Sequence, residues 1–378
     1  MTASVKFDTA MIEAARSGRL PVHLTDEQVQ QFGAEIEAIR KRIMDSLGER
    51  DARYIRRMIK VQRALEVGGR GLLFAGILPP AWLAGTAMLG TAKILENMEI
   101  GHNVIHGQWD WMRDPEIHSS TWEWDTVCPS DQWAHSHNYL HHKWTNVVGM
   151  DRDVGYGILR MSERQPWHPG YLLQPVNNAL LAIFFQWGVA LHDVEVERVS
   201  TGEKPISEAW AQLKHIGKKV RKQVGKDYVL FPLLAGPFFL PVLTGNISAN
   251  LIRNLWSYMI IFCGHFPDGV EDFLPEDIEN EDKAHWYLRQ LLGSANIEGS
   301  KLMHIMSGNL SHQIEHHLFP DMPSNRYAEA AREVRALCQQ FGVPYNSKSL
   351  PRQFGSVLAK VMRLSLPNRR RAAEPVAA

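Results

Sequence analysis

Three stretches of the chain carry histidine at spacings that suit metal binding: Gly101-His102-Asn103-Val104-Ile105-His106-Gly107, then His137-Asn138-Tyr139-Leu140-His141-His142, then His312-Gln313-Ile314-Glu315-His316-His317. The last two share the frame HxxxHH. Composition does not account for two such frames among 17 histidines in 378 residues. On a helix, positions i and i+4 lie on one face, one turn apart. The pairs His102/His106, His137/His141 and His312/His316 therefore each present two imidazoles together. A further histidine at i+5 points about 100° round the axis, so one HxxxHH helix can serve two neighbouring metal ions. Neutral imidazole suits Zn, Cu, Fe and Ni. About eight histidines exceed the four ligands of a tetrahedral zinc site, and two metals are the simpler reading. His265, in Gly264-His265-Phe266-Pro267, is a further candidate ligand. His118 and His135 read as supporting or surface groups. Zinc peptidase chemistry would need a glutamate after the first histidine, where Asn103, Asn138 and Gln313 stand. The Glu and Glu-x-x-His pattern of soluble di-iron bundles does not recur either.

The elements that must position these boxes are helical. Thr25, with Glu27 and Gln28 behind it, opens an amphipathic pattern through Val29, Phe32, Ile36, Ile39 and Ile43. Residues 71–92 carry no charge, long enough for a bilayer span or the deep part of a hairpin. Pro79-Pro80 sits inside this run and is costly in one straight helix. The expectation is a hairpin of 65–82 and 83–102 with the prolines near its tip. Residues 228–245 are also uncharged, and 247–264 hold only Arg253, giving a second hairpin linked at Asn246. The apolar segment 176–191 is shorter and reads as interfacial. Eight basic residues between Arg198 and Lys226 mark a cytoplasmic loop, and the basic run from Arg40 to Arg63 flanks the first hairpin. An even number of spans puts all three boxes on one face. Helices are also expected around 283–293, 298–308 and 326–341.

The resulting expectation is an all-α integral membrane protein: four transmembrane helices in two hairpins, with a cytoplasmic helical cap holding the metals. It divides into an N-terminal cytoplasmic helical region (1–64), a catalytic domain (65–350) and a basic, disordered tail (351–378). Forty-one basic and 41 acidic residues leave no net charge, which excludes a polybasic nucleic-acid scaffold. No nucleic-acid partner is expected. Residues 1–21 lack the apolar core of a signal peptide. Three cysteines with no CxxC make no disulfide framework, so the bulk of the chain is expected to face a reducing compartment.

In order and spacing these boxes resemble those of the membrane fatty acid desaturase family. Gln313-Ile-Glu-His316-His317-Leu-Phe-Pro320 looks like that family's third box in the variant where Gln replaces the first histidine. Asn97 to Trp109 and Asp114 to Trp124 are similar to bacterial acyl-CoA desaturases of the mycobacterial stearoyl-CoA 9-desaturase type. The resemblance covers about residues 50–350. It implies two Fe ions, O2 as co-substrate, and desaturation of a long-chain acyl group carried as acyl-CoA or acyl lipid, with delta-9 as the position. It also implies a separate electron donor, a ferredoxin or a flavin/NADPH reductase. The implied ligands are His102, His106, His137, His141, His142, His316 and His317, with His265 an eighth and either His312 or Gln313 beside them. The enzyme would lie in the inner membrane with its active site facing the cytoplasm. An apolar tunnel is expected near Trp122, Trp124 and Trp187, and Lys218, Lys219, Arg221 and Lys222 are candidates for the coenzyme A phosphates. His168-Pro169-Gly170 opens like a haem motif of cytochrome b5 but lacks its second Gly and reads as a turn. Two other functions use similar chemistry: a membrane di-iron hydroxylase of an alkyl or acyl chain, and a metal transporter. The uncharged spans argue against the transporter.

Overall fold

The computed structural model describes residues 22–279 and 281–368. The chain is mostly helical. Helix α1 (Asp26–Asp45) starts where the sequence says it should. Thr25 Oγ1 accepts from the Gln28 N–H at 3.3 Å, and Gln28 Oε1 accepts from the Thr25 N–H at 2.8 Å. Its buried face, Val29 to Ile43, packs on helices α9 (Lys283–Leu292) and α11 (Tyr327–Phe341). Each such side chain contributes about 1.5–3 kcal/mol when fully buried. This packing forms the core of the cap.

Helix α2 (Glu49–Phe74) runs unbroken through residue 64 and turns back at Ala75–Leu78 into α3 (Pro79–Ile94). Pro79 and Pro80 occupy the first turn of α3, where a missing N–H costs nothing. The hairpin thus turns a few residues before the expected place. Its arms touch closely: a Cβ on Gly69 would sit 2.9 Å from the Gly85 carbonyl. Beyond α3 the chain widens into a π-type turn over Leu95–His102.

Box two lies on the wide π-type turn Ala134–His141 that follows α4 (Ser130–Trp133), with His142 opening the short turn of helix behind it. Helices α5 (Gln174–Ile183) and α6 (Phe185–His192) come next, then α7 (Ile206–Val224). The second hairpin differs from expectation. Helix α8 (Phe239–His265) passes straight through Asn246, and the turn is at Ala235–Phe238, where Gly236 has φ +53. Gly245-Asn246 reads as a breaker but serves helix contact. A Cβ on Gly245 would lie 2.4 Å from Leu73, and Asn246 Nδ2 donates to the Asp227 carbonyl at 2.7 Å.

Helix α10 (Gln313–Leu318) carries box three. Helix α12 (Leu350–Leu364) stands where a disordered tail was expected from 351; it is amphipathic and buries Val357, Val361 and Leu364. Arg369, Arg370 and Arg371 lie outside the described residues. Two three-residue strands, β1 (Asn296–Glu298) and β2 (Ser347–Ser349), pair in parallel, so the fold is helical but not purely so, and the helix expected over 298–308 shortens to Lys301–Met306.

Among the described residues no single helix is long and apolar enough to cross a membrane. One bent pair, Pro169–Ile183 with Phe185–Ser200 at 101°, passes on length and composition together. The hairpins nonetheless leave large apolar side chains uncovered, among them Ile77, Leu78, Leu83, Leu233, Leu234 and Leu240.

Candidate metal centre

The wide turns set the register of the first two boxes. In a π-type turn residues i and i+5 come together, and such turns gather at functional sites. His137 accordingly lies 4.9 Å from His141 and 5.1 Å from His142, ring to ring, so the i+5 histidine swings in toward the group. Ring nitrogens of His102, His106, His137 and His316 all lie within 4.8 Å of one another. The same holds for His141, His265 and His317. His142 stands between the two groups, its ring 4.7 Å from His106 and 4.4 Å from His317. Four separate parts of the chain thus deliver eight buried imidazoles.

His312 stands apart. The backbone breaks at this residue (φ −102, ψ 56), and α10 begins only at Gln313, so His312 and His316 do not share a helical face. The His312 ring stacks on His304 at 4.5 Å, and burial followed by His304 pushes its pKa down to about 3. Gln313 is brought in instead: its amide lies 3.0 Å from His265 Nε2. His118 and His135 lie on the periphery, His118 bonded to Ser120 and His135 exposed. His168 lies at a turn, against Tyr171.

The outer ring nitrogens are anchored. His141 Nδ1 is 3.0 Å from both Asp151 oxygens, and His137 Nδ1 is 3.3 Å from Asp153. His317 Nδ1 lies 3.0 Å from Gln290 Oε1, and His316 Nδ1 lies 3.1 Å from the Tyr327 hydroxyl. An ionised carboxylate only accepts, so His137 and His141 each carry the proton on Nδ1 and turn an Nε2 lone pair inward. The inward nitrogens have no protein partner: Nε2 of His106, His137, His141, His142 and His317, and Nδ1 of His142 and His265. Leaving a buried polar atom unpaired costs about 1–3 kcal/mol. Packing alone does not gather six buried imidazoles with unpartnered ring nitrogens, and metal cations held between them would satisfy those atoms. Burial, reinforced by neighbouring imidazoles, holds His106, His142, His265, His316 and His317 well below the usual histidine range. Burial lowers His137 as well, despite Asp153. At His141 burial pushes down, but Asp151 and Asp153 outweigh it and raise the pKa. The cluster is therefore mostly neutral at pH 7, the form that binds metal.

Asp151, Asp153, Gln290 and Tyr327 were not singled out from sequence. The Asp-x-Asp pair soon after box two is a legible hint; nothing near Gln290 or Tyr327 points to the site. Beside the first histidine group lies a narrow cavity lined by His102, His137, Trp124, Trp133, Phe185 and Arg253, among others. Trp124 is thus where a tunnel was expected, and it also lines an adjoining polar cleft together with Trp122, Arg63, Lys219, Lys222 and Lys226. Trp187 does not line the cavity; it packs against the apolar cluster that contains Trp124 and Trp133.

This fold and site define a class: a helical protein with buried, carboxylate-braced imidazoles arranged to bind metal. A fatty acid desaturase profile matches residues 78–349, and the chain belongs to that family. It is 51% identical over 351 residues to the NADPH-dependent stearoyl-CoA 9-desaturase of Mycobacterium tuberculosis, covering 92% of this chain and 82% of the relative. It is 26% identical over 284 residues to the sn-1 linoleoyl-lipid 6-desaturase of Synechocystis, covering 72% and 77%. With human fatty acid desaturase 3 it shares 27% over 224 residues, covering 58% and 47%. The protein is an oxidoreductase that desaturates fatty acyl chains, and these relatives do not favour hydroxylation.

Proposed function

We propose that this desaturase converts long-chain acyl-CoA, with stearoyl-CoA as substrate, to the product with a double bond at position 9. The 51% identity to a protein named for that reaction supports the assignment. The observation that carries the chemistry is the set of inward, unpartnered imidazole nitrogens. His102, His106, His137 and His316 would hold one iron; His141, His265 and His317 would hold a second, with His142 between them and Gln313 bracing His265. Bound there, the irons supply the redox chemistry that an unactivated C–H bond requires, since no acid or base can polarise it. The protein's own part is positioning. Asp151 and Asp153 fix two imidazoles in one tautomer, and the apolar walls of the cavity exclude water from the reacting carbons. Per turnover, two hydrogens leave the acyl chain, one O2 is reduced, two electrons and two protons are taken up, and two waters form. The electrons come from a separate donor, a ferredoxin or an NADPH-driven flavin reductase, in keeping with the NADPH dependence in the relative's name.

The two hairpins seat the enzyme in the inner membrane as four spans, with the histidines facing the cytoplasm. The exposed leucines and isoleucines at the hairpin tips support this. Lys219 and Lys222, among the cations expected for coenzyme A, line the polar cleft that shares Trp124 and Thr126 with the cavity. The test is expression in a host without its own stearoyl desaturase, with product analysis by mass spectrometry and iron counting on the purified chain. A 9-alkene and two irons per chain are expected. An alcohol would make the chain a hydroxylase, and an iron-free active protein would overturn the site.

A further inference from the structure

Arg253 is a buried cation with no carboxylate of its own. It sits on α8 with its side chain 1% exposed. Its Nε donates to Asn254 Oδ1 at 3.1 Å, Nη2 to Asn250 Oδ1 at 3.2 Å, and Nη1 to the Asp125 carbonyl at 3.4 Å. All three acceptors are neutral amide oxygens, and no ion pair to Arg253 is present among the described residues. The nearby carboxylates are engaged elsewhere. Asp125 is held by Lys226 at 2.6 Å and Lys93 at 3.4 Å, and Asp227 by Lys93 at 2.7 Å and Arg70 at 3.0 Å. A guanidinium has five N–H donors, and a buried charge is costly unless its hydrogen bonds are met. Arg253 nonetheless lines the narrow cavity that reaches His102 and His137.

Its place along that cavity is informative. Arg253, Ser257, Ile261 and His265 follow one another in four-residue steps, so one face of α8 carries all four. The first three line the cavity and the fourth belongs to the histidine cluster. The span from Arg253 to His265 is about 18 Å along the axis. Polar side chains, Asn97, Asn254 and Ser257, surround the Arg253 end, whereas Tyr156, Phe185 and Ile261 line other walls. Asp125, whose carbonyl Arg253 contacts, also lines the polar cleft with Lys219 and Lys222. Arg253 therefore stands where the polar cleft meets the cavity.

We propose that Arg253 is a positioning residue that donates to the carbonyl oxygen of the acyl thioester and so fixes which carbons lie beside the histidines. This rests on the acyl-CoA reading above and adds the group that sets the register of the chain. No bond is made or broken at Arg253.

The test deletes the oxygen from the ligand. Full-length enzyme, purified with its metal, is titrated with stearoyl-CoA and with S-octadecyl-CoA, the thioether in which CH2 replaces the carbonyl. The wild type is expected to bind the thioether on the order of a hundredfold more weakly, the worth of one charge-assisted hydrogen bond in a dry site. Arg253→Gln is expected to bind both alike, to raise KM for stearoyl-CoA, and to scatter the double bond over neighbouring carbons. A merely structural role would not move the double bond. Arg253→Lys, which keeps the charge, should retain most of the discrimination. Equal binding of both ligands by the wild type overturns the proposal whether or not the variants fold. Discrimination by Arg253→Gln as strong as the wild type's overturns it too. A wild type that makes no alkene from stearoyl-CoA defeats the functional reading itself, whereas one that makes the alkene without discriminating defeats only the role of Arg253.

Discussion

His141 and His316 belong to different histidine groups, and both turn an anchored ring toward the centre. Replacing either with alanine removes an inward nitrogen that no neighbour can supply. Each variant is expected to lose most of its bound iron and at least a hundredfold in turnover, read by metal analysis and product yield. His312→Ala is expected to keep wild-type iron content, because that ring stacks on His304 outside the cluster. Asp151→Asn tests the brace. An amide can present N–H as well as oxygen to Nδ1, so the His141 tautomer is no longer fixed. Iron affinity should fall by about 10–100-fold in a chelator competition, with the fold retained. The histidine boxes were legible from spacing because i, i+4 and i+5 imidazoles have no packing rationale. The carboxylates were legible only as a hint, because an Asp-x-Asp pair has many ordinary uses and only the fold turns it toward His137 and His141.

At the scale of elements, small residues decide where helices meet. Gly245 faces Leu73 across the contact of α8 with α2, with no room for a Cβ. Gly245→Val should wedge the two helices apart and destabilise the protein by about 1–3 kcal/mol, the usual cost of overpacking. A lowered thermal midpoint in detergent checks this; an unchanged midpoint would mean that the hairpins shift freely past each other. This contact also explains why the second hairpin turns at Ala235–Phe238 and not at Asn246. Gly and Asn are turn formers when exposed, but here both are buried against another helix, and tertiary contact overrides local preference. Box three shows the converse. The HxxxHH frame suggests one continuous helix, yet Asn309 at φ +55 and the break at His312 restart it one residue later. Local capping was easier to read. Thr25 and Gln28 close their bonds within four residues, and α1 begins where expected.

For the whole molecule, the buried histidines couple folding to protons. In the metal-free protein, burial holds most of the cluster below the ordinary histidine pKa of about 6.5. The unfolded chain then binds more protons below that pH, so stability rises as pH climbs toward 6.5 and falls as pH drops beneath it. His141, shifted the other way, opposes this, but it is one ring against several. Chelator-treated protein should therefore melt at progressively lower temperature between pH 6.5 and 5, and iron should largely remove the dependence. If the hairpins span as proposed, cysteines placed at Leu78 and Leu234, on the two hairpin tips, should react with an impermeant maleimide from the periplasmic side only. The three native cysteines are buried and give little background. Labelling from the cytoplasmic side would mean that the hairpins dip into the bilayer without crossing it.

The sequence by itself determined the class of chemistry: a desaturase whose clustered histidines suit metal, carried on helices and apolar hairpins. Those features are written in spacings of four and five residues and in uncharged runs, which act over one or two helical turns. The tertiary structure alone decided that Gln313 and not His312 approaches His265, that Asp151 and Asp153 brace box two, and that Arg253 stands at the cavity without a carboxylate partner. Each of these depends on side chains brought together from distant parts of the chain, by packing that no local pattern records.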